Sequence, residues 1–157
     1  MNRKRREALK TGGGLTLLSL LEASGWVMSG DARASDWNKA AFESKSVDEA
    51  LKAMATSVPQ QSKDIAFVAT PDIAENGAVV PIGITSAIPK TESISILIEK
   101  NPNTLAASFE IPTGTEPAIT TRVKMGQTSN VYALVKADGK YFVASKEIKV
   151  TLGGCGG

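Results

Sequence analysis

The chain has 157 residues, with 18 lysines and arginines against 16 aspartates and glutamates, one cysteine and no histidine. Without histidine, neither a Ser-His-Asp triad nor a Cys-His pair can be assembled from this chain, and zinc sites of the Cys/His type are excluded. A single cysteine rules out an internal disulfide, and no basic patch with interleaved aromatics calls for a nucleic-acid partner.

The N-terminus carries Arg3, Lys4, Arg5, Arg6 and Lys10, then a mildly apolar run from Leu15 to Leu21, then Ala32-Arg33-Ala34, a small-x-small cleavage pattern. Thr16, Ser19 and Glu22 interrupt the apolar run, which falls well short of the ~20 residues that span a bilayer. The stretch from Lys4 to Lys10 resembles the bacterial twin-arginine export signal, with Arg5 and Arg6 as the pair. It departs from that pattern at Lys4, where serine or threonine is common, and at Ala8, where phenylalanine is common. A basic arm for nucleic acid or lipid headgroups is the competing reading, but such an arm needs neither the apolar run nor the cleavage pattern. The expectation is therefore a cleavable signal over residues 1–34 and a periplasmic protein, soluble once the signal is removed. Six basic and three acidic residues lie in that signal, so the mature 123 residues hold twelve against thirteen and a formal charge of −1. A chain of that length suits one domain.

Two helical patterns follow within residues 35–57. Residues 36–42 form a weak one. Ser46-Val47-Asp48-Glu49 is a capping box, opening a helix whose Val47, Ala50, Leu51 and Met54 share one face. From residue 64 the hydrophobic period changes to two. Strands are expected at residues 65–69 and 78–84, the second at an edge or bulged because Pro81 cannot donate to a ladder. Ile94, Ile96 and Ile98 alternate with Ser93, Ser95 and Leu97, and Leu105, Ala107, Phe109 and Ile111 form another alternating set. Ile119, Val123 and Met125 form a third. Residues 131–136 and 141–150 flank Asp138-Gly139, a strong hairpin signal. About seven short strands argue for an all-β, immunoglobulin-like antiparallel sandwich over residues 64–152, behind a short N-terminal helical segment.

No Walker loop or dinucleotide fingerprint occurs; Gly12-Gly13-Gly14 lies in the signal, not after a strand. Asp64, Asp72, Glu75 and Glu110 are scattered carboxylates that read as solvated surface. Cys155 stands apart, in the tail Gly153-Gly154-Cys155-Gly156-Gly157. A buried apolar role fails, because glycines on both sides leave no bulk to cover it. A frayed terminus of no consequence fits poorly with export, where unpaired thiols are usually paired or lost. Glycine leaves the backbone free, so residues 153–157 read as a flexible arm whose thiol reaches roughly 17 Å beyond Val150 and enters narrow clefts. Nothing beside it acts as a base, and an ordinary exposed thiol is only a few per cent ionised at neutral pH. The arm therefore presents a sulfur on which other proteins act. Two alternatives remain open: a thiocarboxylate carried on the terminal Gly-Gly, and a non-catalytic interaction module whose tail is inert or forms an intermolecular disulfide.

The tail, the preceding Ile148-Lys149-Val150-Thr151-Leu152, the twin-arginine-like signal and the helix opening at Ser46 together resemble the SoxY family. These are the sulfur-carrier subunits of the bacterial Sox thiosulfate-oxidising system. The likeness covers essentially the whole chain, and the tail is its specific part. It implies that Cys155 is the covalent attachment point for sulfur, that Gly153, Gly154, Gly156 and Gly157 give the arm its freedom, and that the chain itself catalyses nothing. It further implies a heterodimer with a SoxZ-like sandwich subunit exported alongside. Transient partners would be a haem-containing SoxAX-like enzyme, a manganese-dependent SoxB-like hydrolase and a sulfur dehydrogenase. No cofactor is expected in this chain, since the haem and manganese belong to those partners.

Overall fold

The computed structural model describes residues 38–151. Two short helices lead into nine strands. α1 is Lys39–Phe42, capped by the Asn38 carboxamide, which accepts from the Ala41 amide at 3.1 Å. α2 is Val47–Met54, and the Ser46 hydroxyl accepts from the Glu49 amide at 3.2 Å, as the capping box requires. The strands are β1 (Gln60–Gln61), β2 (Ile65–Val68), β3 (Ile73–Ala74), β4 (Val80–Ser86), β5 (Thr91–Ile98), β6 (Leu105–Glu110), β7 (Ala118–Val123), β8 (Ser129–Ala137) and β9 (Lys140–Val150).

They form two sheets. The larger runs β1-β9-β8-β5-β6, with β3 also on β9, and the smaller runs β2-β4-β7. Their facing sides bury one core, in which Ile82 and Ile84 of the small sheet meet Ile94, Ile96, Ile98, Val131, Val135 and Ile148 of the large one, all fully buried. This is the expected immunoglobulin-like sandwich, with the helical segment at its N-terminal end. Asp138 and Gly139 close the β8–β9 hairpin with φ of 48° and 71°, the left-handed pair that an Asp-Gly turn supplies.

Four features depart from the sequence reading. First, the sandwich is not purely antiparallel: β1 and β3 pair parallel to β9, two residues each, at its two ends. Neither segment is long enough to show a period. Second, Leu97 and Ser95 do not face water. The outer side of the large sheet lies under the helices, where Leu97, Leu105, Leu134 and Tyr141 join Ala41 and Ala50 in a second core. Tyr141 donates its hydroxyl to the Met54 carbonyl at 2.8 Å, tying α2 to β9.

Third, Leu105 does not share a face with Ala107 and Phe109. The β5–β6 register slips between Ile96↔Ala107 and Leu97↔Leu105, a bulge that turns Leu105 to the helix side. Fourth, Pro81 sits in the middle strand of the small sheet, yet its missing N–H costs nothing. Gly83 sends its amide to the β2 side, to the Thr70 hydroxyl, so Pro81 two residues earlier points the same way. The β2 ladder ends at Val68↔Gly83, short of Pro81, so the strand is locally an edge there.

Candidate functional site

Cys155 and its four glycines lie outside the described residues, as do Arg5 and Arg6 of the expected signal. What the structure describes is the ground from which the C-terminal arm departs. Ile148 is fully buried in the core, so β9 is anchored three residues before the last described residue.

Beyond Ile148, both edges of the strand are held. On one side Lys149 donates its amide to the Asp72 carbonyl at 2.9 Å, and Thr151 donates to the Ala74 carbonyl at 3.0 Å. On the other, Val150 donates to the Thr128 hydroxyl at 3.0 Å. Lys146 braces the incoming segment. Its ammonium donates to the Thr70 carbonyl at 2.6 Å and lies 3.0 Å from the Asp72 carboxylate. Gly77 closes the base: a Cβ there would sit 2.3 Å from the Met125 carbonyl oxygen and 2.8 Å from Val150 Cγ1. Only glycine lets the turn at residues 76–79 come this close to β9. The arm thus starts from a fixed point at Thr151, not from a fraying strand end. Cys155 lies four steps along the chain from Thr151, giving a reach of roughly 13 Å at ~3.3 Å per residue.

That length decides which surfaces of the same chain the thiol can visit. A hollow of about 770 Å³ lies among Ser86, Ile88, Glu92, Ile111, Pro112 and Asp138. Asp138 belongs to the β8–β9 turn, at the opposite end of β9 from Thr151. Eleven residues of β9 span roughly 35 Å, so this hollow is far beyond the arm. It holds the ion pairs Lys90–Asp138 at 2.9 Å and Lys136–Glu92 at 2.6 Å close by. Hydrogen bonding first, then charge, holds the Asp138 carboxyl below its usual range and raises Lys90. Glu92 is lowered by Lys136 and by the Gly139 amide, which donates to it at 3.0 Å. These groups fasten the hairpin and leave no free base.

Two smaller hollows, of about 390 and 460 Å³, flank Leu51 on the helix side. Tyr132 lines the second, and burial, then the nearby Glu99 carboxylate, push its phenol upward, which keeps it neutral. Among the described residues no three carboxylates, histidines or cysteines gather as metal ligands do. The described body therefore offers a scaffold and a tether point.

The root residues Ala74, Gly77 and Thr128 were not singled out by the sequence, and Thr151 entered only as part of the run before the tail. Asn76-Gly77 is legible as a turn, and Asn76 does accept from the Ala78 amide at 2.9 Å. That the turn packs on Val150, and that Thr128 reaches it, are long-range facts with no local signal.

None of the curated protein sequences compared matches the chain. Among solved structures, the sulfur carrier protein SoxY from Chlorobium limicola f thiosulfatophilum aligns at 38% identity and a TM-score of 0.61, covering 67% of this chain and 96% of that one. A superoxide reductase (neelaredoxin) from Ignicoccus hospitalis aligns at 16% identity and a TM-score of 0.50, over 68% of this chain and 93% of that one, a likeness of fold alone. The family model described as sulfur oxidation protein SoxY matches residues 50–155, more than half of the chain and a span that takes in Cys155. On both counts the chain belongs to the SoxY family.

Proposed function

We propose that the chain is a periplasmic carrier of sulfur intermediates, holding them covalently on Cys155 and presenting them to partner enzymes. The observation that carries this reading is a family match running through Cys155, on a chain whose strand β9 is pinned four residues before that cysteine. The similar protein from Chlorobium limicola is named as a sulfur carrier.

The chemistry is a cycle at one sulfur. In loading, the Cys155 thiol and the sulfane sulfur of thiosulfate join in an S–S bond. One proton and two electrons leave, and the electrons go to a haem-containing SoxAX-like partner. The product is a cysteine S-thiosulfonate. In unloading, water attacks the terminal sulfonate sulfur in a SoxB-like hydrolase, and sulfate and a proton depart. A persulfide stays on Cys155, open to oxidation by a sulfur dehydrogenase. The chain's part is to expose, shelter and deliver the thiol; its glycines add reach without bulk. Haem and manganese remain in the partners. Export by the twin-arginine route, with Arg5 and Arg6 read by the exporter and cleavage after Ala34, would bring a folded chain and its SoxZ-like subunit across together.

The test is the intact mass of the mature protein taken from periplasm of cells growing on thiosulfate, before and after reductant, with fragmentation to locate adducts. Sulfur-containing adducts confined to Cys155, absent in Cys155→Ser at unchanged melting temperature, are expected. Adducts elsewhere, or normal thiosulfate turnover by the serine variant, would sink the proposal. A bare thiol or a simple disulfide dimer would favour an interaction module instead.

A further inference from the structure

Of the asparagines in the chain, Asn76 alone is followed by glycine. A glycine carries no side chain, so its backbone nitrogen is left unshielded and can close on the carboxamide before it. The turn at residues 76–79 leaves both reacting groups free. The Gly77 amide has no hydrogen-bond partner among the described residues, and neither has the side-chain NH2 of Asn76. Asn76 is exposed. Its side-chain carbonyl accepts from the Ala78 amide at 2.9 Å, which polarises the carbonyl carbon and stabilises the oxyanion that attack creates.

The other asparagines of the described body lack this arrangement. Asn38, Asn101 and Asn130 donate their side-chain NH2 to the Ala53 carbonyl, the Lys124 carbonyl and the Glu99 carboxylate, so the group that must leave is held. Asn101 precedes Pro102, which has no N–H. After Asn103, the Thr104 amide is engaged by the Ser44 carbonyl at 2.9 Å. Asp138-Gly139 is closed as well. Gly139 gives its amide to Glu92 at 3.0 Å, and Lys90 holds the Asp138 carboxylate at 2.9 Å.

We propose that Asn76 is a self-modification site, at which the chain converts its own asparagine to isoaspartate and thereby releases the root of the arm. The Gly77 nitrogen bonds to Asn76 Cγ, the bond from Cγ to the side-chain nitrogen breaks, and ammonia leaves with the Gly77 proton. Water then reopens the cyclic imide. Addition at Cγ gives aspartate, and addition at the main-chain carbonyl gives isoaspartate; each new acid gives up a proton. Nothing is oxidised or reduced. The aspartate keeps an acceptor for Ala78. The isoaspartate puts an extra methylene into the main chain of a turn with no room for it. A Cβ at Gly77 would already lie 2.3 Å from the Met125 carbonyl oxygen and 2.8 Å from Val150 Cγ1. The turn must move off β9. The Met125 amide then loses the Gly77 carbonyl, which it holds at 2.7 Å, and β3, just before the turn, loses its place beside Val150 and Thr151. The chemistry stands by itself; its meaning for sulfur delivery rests on the carrier reading.

The experiment holds the mature Cys155→Ser protein, which cannot form disulfides, in warm, mildly alkaline buffer without thiosulfate or partner enzymes. Peptide mapping follows each asparagine by the gain of about 1 Da as –NH2 becomes –OH, with fragmentation that separates aspartate from isoaspartate. Gain at Asn76 ahead of every other asparagine, with both acids present, is expected. In the purified isoaspartate form the Lys149 and Thr151 amides should exchange with solvent at least about tenfold faster, while the β8–β9 hairpin keeps its original rates. Asn76→Asp should also keep them. Asn76→Ser, whose hydroxyl still offers Ala78 an acceptor, should not change on ageing. An Asn76 that survives as long as the other asparagines, or converts more slowly in the folded protein than in urea, overturns the proposal. So does an isoaspartate form whose Lys149 and Thr151 amides exchange at the original rate. No sulfur substrate is present, so neither result bears on whether Cys155 carries sulfur.

Discussion

Deleting Gly153 and Gly154 isolates the reach of the arm from its chemistry. Because Thr151 is held by Ala74 and its neighbour Val150 by Thr128, the strand cannot peel back to lend length without losing these bonds. The deletion leaves one residue, Leu152, between Thr151 and the cysteine where the intact chain has three, so the arm runs two Cα–Cα steps in place of four. Reach drops from roughly 13 Å to roughly 7 Å. A sulfur that must meet a reacting partner within ~3–3.5 Å tolerates very little of this, since misplacement by ~1 Å already costs about a hundredfold. Loading in a reconstituted system should fall by at least about a hundredfold. Melting temperature should not change, because the deletion lies beyond the last tie, and alkylation by a small reagent should proceed at the original rate. Replacing the same pair by two alanines keeps the length and adds bulk, so it should slow loading far less. Wild-type loading by the shortened arm would refute the idea that a fixed root sets the reach.

Two further predictions concern the scaffold. Leu97 is fully buried on the helix-covered side of the large sheet, so Leu97→Ala should cost about 2–4 kcal/mol in urea unfolding; a change below about 0.5 kcal/mol would mean that α1 and α2 do not pack there. The hairpin pairs set a pH window. Asp138 and Glu92 have folded pKa values below their reference values of 3.8 and 4.5, so their stabilisation is present above those values and lost as pH falls through the lower folded ones. Lys90 and Lys136 are raised above 10.5, so their stabilisation is present below that value and lost as pH rises through the higher folded ones. Melting temperature should be flat between these limits, and Lys90→Met with Lys136→Met should flatten both flanks; unchanged flanks in that variant would place the pH dependence elsewhere.

The seven longer strands and both helices were legible because each carries its own local signature. Ser46 and Glu49 announce a cap, Asp138-Gly139 a tight turn, and the isoleucines at 94, 96 and 98 a buried face. What escaped depends on a second layer. Leu97 reads as one residue in a polar row until the helices are laid over the sheet, and Leu105 changes face because of one extra residue in β6. β1 and β3 exist only because β9 presents an edge for them. The same divide holds at the site. The proposed cysteine arm is read from five letters of sequence and lies outside the described residues, whereas the ties at Val150 and Thr151 rest on contacts spanning 22 residues from Thr128 and 77 from Ala74.

A stiff root under a short glycine arm is a compromise with a physical basis. Each added residue extends the thiol by ~3.3 Å but must be ordered when the arm threads a cleft, at a cost of about 1–2 kcal/mol of backbone entropy. A frayed strand end would add residues of that cost without aiming them. Fastening Val150 and Thr151 fixes the origin and direction of the arm before any partner arrives. Binding then has to order only the residues beyond. The fastening is done by Thr128, Lys146 and the absent side chain of Gly77. On the proposed carrier reading these act as positioning residues, and substituting them should change how fast the sulfur is delivered, not what is done to it.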